Sequence, residues 1–69
     1  MKISARNFLE GTVKKVRKGA TTAHIEIELK GGETITSSIT NEAVEELGLT
    51  EGMQAYAVIK ASDVMIGVK

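Results

Sequence analysis

The sequence predicts an all-β domain with a small α contribution: a five-stranded, OB-like Greek-key barrel with one short helix between strands 3 and 4. Three observations lead there. Apolar and polar residues alternate cleanly over residues 22–30, the period-two pattern of a half-buried antiparallel strand. Segments rich in β-branched residues are separated by turns that contain glycine, as in a chain of short strands. One capped amphipathic stretch interrupts them, and three strands, a short helix and two strands follow the chain order of a Greek-key barrel of oligonucleotide/oligosaccharide-binding type.

The elements follow in order. Residues 8–17 read as a first strand with Leu9, Gly11 and Val13 on one face, ended by Lys18-Gly19. In the second, residues 22–30, Ala23, Ile25, Ile27 and Leu29 point one way and His24, Glu26, Glu28 and Lys30 the other. The Gly31-Gly32 pair supplies the positive φ angles of a tight hairpin into a third strand, residues 34–39. Thr40 or Asn41 caps a helix with Glu42 in its first turn, an apolar stripe of Ala43, Val44 and Leu47, and a stop at Gly48. The helix is placed to plug the open end of the barrel. Residues 55–61 and 64–68 read as strands 4 and 5, joined at Ser62-Asp63 and preceded by a Glu51-Gly52 turn.

The 69 residues make one domain, 1–69, with no linker, repeat or low-complexity stretch. A core this small is marginal, and natural proteins of this size lean on disulfides, a structural metal or partner subunits. With no cysteine and one histidine, partner subunits are the expected source of extra burial. Nine basic and nine acidic residues cancel, so no long-range field favours nucleic acid or an anionic membrane, and an anion site has to be local. No apolar run reaches signal-peptide or membrane-span length, which makes a cytoplasmic protein the expectation.

No constellation for catalysis emerges, so the chain is not expected to be an enzyme. His24 lies on the polar face of its strand without a second histidine or a cysteine, and Glu26 and Glu28 sit on that face without the apolar surroundings that raise a carboxyl pKa. Gly31-Gly32 lacks the strand-to-helix context of a phosphate loop, and Ser37-Ser38 lacks a neighbouring base. Phe8 and Tyr56 are the only aromatics, too few for a platform that stacks single-stranded bases.

Two segments remain. Ser4-Ala5-Arg6-Asn7 stands just before the first strand, where Ser4 and Asn7 can make local turn bonds and Arg6 can be a surface charge or an anion ligand. Lys60, in Ile59-Lys60-Ala61-Ser62, interrupts an apolar strand at its end, as a solvated edge charge or a ligand would.

Taken together, MKISARN at the start, KG after the first strand, ITSSITNEAVEELGL over residues 35–49 and AVIKASDVMIGV over 57–68 resemble the molbindins. These are the small Mop-type, molybdenum-pterin-binding proteins, built on a transport-associated OB-type barrel, the TOBE domain, and the likeness runs from end to end. It implies a hexamer, a trimer of dimers whose subunits exchange a strand, with molybdate or tungstate held as the intact oxyanion between subunits. It further implies a site made by Ser4, the backbone of Ala5, Arg6, Lys60 and the backbone of Ala61, completed by Thr40 of a neighbouring subunit. One departure is Ala43, where several relatives carry a serine. Smaller oxyanion sites near the three-fold axis would fall close to Lys18, Gly19, Thr21 and Thr22. No DNA-binding helices or nucleotide loop accompany the module, so storage is expected ahead of transcription control or transport.

The residue types suit such a ligand. Molybdate near neutral pH is a dianion that only accepts hydrogen bonds, so its shell should contain donors alone: guanidinium, ammonium, hydroxyl and backbone N–H. A shell without carboxylates also disfavours protonated phosphate, whose proton would find no acceptor. The competing readings are a nucleic-acid-binding OB-fold and an interaction module without a small ligand.

Overall fold

A computed structural model describes residues 1–69. Four strands and one helix form in the order β1 (Asn7–Lys18), β2 (Thr22–Leu29), β3 (Thr34–Thr40), α1 (Asn41–Leu47) and β4 (Gln54–Ile59), followed by a 3-10 turn at Ala61–Asp63. The strands make a single curled antiparallel sheet in the order β3-β2-β1-β4. The expected all-β class, OB-like curl and helix position hold.

The fifth strand does not form within the chain. Residues 64–68 pair with nothing, and Val64, Met65, Ile66 and Val68 are 47%, 92%, 88% and 94% exposed. A strand is defined by its partner, and an alternating sequence cannot supply one. The sheet therefore ends at β3 on one side and β4 on the other, and the barrel stays open.

The long first strand changes phase midway. Val13 pairs with Ile27 and Lys15 with Glu26, so Lys14 is an extra residue, a β-bulge. Strict alternation from Val13 would drive Lys15 and Arg17 inward. The bulge instead turns Val16 toward the core and leaves both cations exposed.

The core is Val13, Ala23, Ile25, Ile27, Val44 and Ala57, with Val16, Leu29, Ile35, Ile39, Leu49, Met53 and Ala55 packed around it. Three expected inward residues lie outside it, Ala43, Leu9 and Leu47. Leu9, near the open end of β1, is 36% exposed, and Leu47 is 64% exposed. The helix is too short to bury a whole stripe: Val44 enters the core, then Gly48, at φ 64°, reverses the chain so that the Leu49 N–H bonds the Val44 carbonyl and Leu49 packs instead. Thr40 is the helix cap, its hydroxyl accepting from the Ala43 N–H at 3.0 Å. Asn41 has another task, donating from Nδ2 to the Gly19 carbonyl at 2.9 Å and tying the β1–β2 turn to the helix start.

Gly11 shows how closely the strands approach. It pairs with Leu29 on one side and Ala55 on the other, and a Cβ there would lie 2.5 Å from the Glu28 carbonyl oxygen and 2.6 Å from Ile27 Cγ2. Gly11→Ala is expected to cost about 1–3 kcal/mol, because backbone has to move to admit it. The check is a lower urea midpoint at equal protein concentration, with the slope unchanged.

Candidate functional site

The antiparallel register of β1 and β4 brings the two chemistry-bearing segments together. Pairing runs from Thr12 with Gln54 to Asn7 with Ile59, the last pair at that end of the sheet. Arg6 is the next residue outward on the β1 side and Lys60 on the β4 side, with Ala5 beyond Arg6 and Ala61 beyond Lys60 at the start of the 3-10 turn. Ser4, Ala5, Arg6, Lys60 and Ala61 thus share one corner, although more than fifty residues separate them along the chain.

Local structure shapes that corner. Ala5 is buried, 7% exposed, while Ser4 and Arg6 on either side are exposed, so the small residue anchors its segment and leaves its neighbours facing solvent. Lys60 begins the 3-10 turn: its carbonyl accepts from the Asp63 N–H at 2.8 Å, and the Ala61 carbonyl accepts from Val64 at 3.2 Å. Among hydrogen bonds outside the regular elements, none uses the N–H of Ala5 or Ala61, which leaves two backbone donors beside two cationic side chains. The chain's ion pairs lie elsewhere, Lys14 with Glu28 at 3.8 Å and Lys18 with Glu45 at 3.7 Å. Arg6 and Lys60 pair with no carboxylate, Asp63 included.

Thr40 is not part of this corner. It pairs with Thr22, beyond the far end of β1, where Lys18 meets Ala23. The twelve residues of β1 lie between the two places along the sheet. The Thr40 hydroxyl spends a lone pair on the Ala43 N–H, and its own hydrogen stays free to donate.

Sequence reading missed one residue here. Asn7 Nδ2 donates to the Ile59 carbonyl at 3.1 Å across the last strand pair; its place at a predicted strand start was the only signal, and it suggested nothing beyond a turn bond. His24 is exposed, with Arg17 and Ser38 on the adjoining strands. No group of three or more histidine, cysteine or acidic side chains is arranged to hold a metal ion, and no helix is long and apolar enough to cross a membrane.

Comparison with known proteins identifies the family. The TOBE domain family matches residues 3–66. Molybdenum-pterin-binding protein 1 of Clostridium pasteurianum is 53% identical over 66 residues, which cover 96% of this chain and 97% of the relative. A probable molybdenum-pterin-binding protein of Haemophilus influenzae is 46% identical over 69 residues, the full length of both. Among solved structures, MopII from Clostridium pasteurianum in an apo form superposes with a TM-score of 0.91 at 49% identity, covering 97% of this chain and all (100%) of that one. The cytoplasmic molybdate-binding protein ModG, with molybdate bound, gives 0.95 at 54% identity, covering 100% of this chain and 49% of that one. The chain belongs to the TOBE-domain family, among its molybdenum-pterin-binding members.

Proposed function

We propose that this chain binds molybdate or tungstate as the intact oxyanion and stores it in the cytoplasm, at sites between the subunits of a homo-oligomer, a hexamer built as a trimer of dimers. The observation that carries the reading is the shared corner of Ser4, Ala5, Arg6, Lys60 and Ala61, a set of donors without an ion-paired carboxylate. A dianion that only accepts hydrogen bonds suits those donors. Thr40 of a neighbouring copy completes the shell. The ModG structure with molybdate bound, at 54% identity over the whole (100%) of this chain, supports the ligand, and ModG is described as cytoplasmic.

The surface of the single chain supports the assembly. A folded monomer of 7.4 kDa typically exposes about 4,200 Å², whereas this chain exposes 5446 Å². Its radius of gyration is 12.6 Å against about 11 Å for a compact chain of this length. Only 8 of 69 residues are buried, and an open apolar groove of about 400 Å³ is lined in part by Met1, Leu47, Tyr56 and Val58. This excess is what an interface would cover. A binding protein, not a catalyst, fits the donor set, which holds no base and no nucleophile poised by one. Nucleic acid fits poorly, since Tyr56 pairs across the strands with Glu10, a carboxylate that would face the phosphates.

Parallel calorimetric titrations with molybdate, tungstate, sulfate and phosphate test the proposal. Molybdate and tungstate are expected to bind, and sulfate and phosphate to bind far more weakly, with the metal retained after desalting by elemental analysis. Absence of heat with molybdate and tungstate, or tighter salt-sensitive binding to single-stranded nucleic acid, would remove it.

A further inference from the structure

We infer that Asn7 is a positioning residue, which holds the oxyanion corner in its binding geometry before the anion arrives and so sets its selectivity. The inference rests on the proposed oxyanion site and adds a residue to it that touches no ligand. Four side-chain hydrogen bonds exist in the chain, and the one from Asn7 Nδ2 to the Ile59 carbonyl, 3.1 Å and partly buried, is the only one that joins β1 to β4. It spans 52 positions of sequence and crosses the last strand pair. Arg6 follows immediately outward on one strand and Lys60 on the other.

That place is under electrostatic load. Like charges held near one another repel, and Arg6 and Lys60 are the residues that follow the last pair, Asn7 with Ile59, on the two strands, with no carboxylate paired to either. Without an anion, the two cations push the strand ends apart at the point where pairing stops and fraying starts. The Asn7 strap opposes this on the adjacent pair. A loosened corner would still attract anions, but it could close to fit a small oxyanion as readily as a large one. A corner held at fixed spacing retains its size, and size is what separates molybdate from sulfate, since the two carry the same charge and shape.

Asn7→Leu keeps the approximate shape and removes the donor. Calorimetry of the assembled protein is expected to show molybdate affinity lowered roughly fivefold, the change that corresponds to one ordinary hydrogen bond. Sulfate affinity should fall less, so that the molybdate-to-sulfate ratio drops. Amide exchange in the terminal β1–β4 pairs, from Asn7 with Ile59 to Leu9 with Ala57, should quicken in the anion-free variant and return toward the parent rate with molybdate. Ile27→Val, a core truncation remote from the strap, is the control and should leave the ratio unchanged. Should Asn7→Leu fail to assemble, Asn7→Ser, which keeps a shorter donor, is expected to give a ratio between those of the parent and a molecule without selectivity. An unchanged ratio in an Asn7 variant overturns the inference, whether affinity is unaltered or all anions weaken equally as in Ile27→Val. A parent protein that binds no molybdate overturns the site reading itself, a different result.

Discussion

Arg6→Ala is expected to bind molybdate at least tenfold more weakly than the parent, and Lys60→Ala similarly. Each substitution removes a charge-assisted hydrogen bond to a dianion taken out of water, a loss on the order of 2–5 kcal/mol at a buried charged contact; about 1.4 kcal/mol is one decade. Both cations are exposed in the single chain and pair with no acid, so their removal leaves no orphaned carboxylate and should spare the fold. Lys14→Ala is the matching control: it deletes an equal charge from the middle of β1, where Lys14 meets Glu28 at 3.8 Å, an exposed pair worth little. Its oxyanion affinity should stay within error of the parent. Titration of the three variants, each shown by sedimentation to keep the parent assembly, decides the matter. Parent-like affinity in both Arg6→Ala and Lys60→Ala would show that these residues are not the ligands, even with molybdate binding intact.

The second large effect concerns assembly. A chain shortened by residues 64–69 is expected to lose the hexamer at micromolar concentration and much of its sheet signal with it. Val64, Met65, Ile66 and Val68 are 47–94% exposed in the single chain. Their full burial against a neighbour is worth at most about 6–12 kcal/mol per subunit, at about 1.5–3 kcal/mol per side chain. Micromolar association corresponds to about 8 kcal/mol, and association itself costs several more, so an interface deprived of this segment has little left. Ile66→Asp, a single charge in the same stretch, should shift the sedimentation profile in the same direction. A shortened chain that still sediments as a hexamer, or a parent that persists as a well-folded monomer on dilution, would contradict the role of the segment and dissolve the interfaces where Thr40 is supposed to meet Arg6.

Much of the local structure was legible without coordinates because its causes are local. The alternation of Ala23, Ile25 and Ile27 against His24, Glu26 and Glu28 requires a half-buried strand, and all three apolar residues are buried. Thr40 and Gly48 mark the ends of a helix through their own side-chain and φ preferences, and the helix lies between them. The two candidate segments were also visible as residue types, cations beside hydroxyls and small residues. The family resemblance is what nominated them as a site.

What only the tertiary structure decided are the properties that depend on a partner strand. Lys14 and Lys15 look alike in sequence, and only pairing with Glu26 shows that Lys14 is the extra residue that turns Val16 inward. Leu47 and Leu49 are equally apolar; the left-handed turn at Gly48 decides that Leu49 is the one packed against the core. Residues 64–68 carry a strand's composition, yet a strand exists only where it is bonded to an edge, and they pair with neither β3 nor β4, the two edges the sheet leaves open. The same holds for the site. Composition could nominate Arg6, Lys60 and Thr40 together, but the β1–β4 register places the first two at one corner and leaves Thr40 beyond the opposite end of the longest strand, because hydrogen-bond register, which no single segment encodes, determines which residues meet.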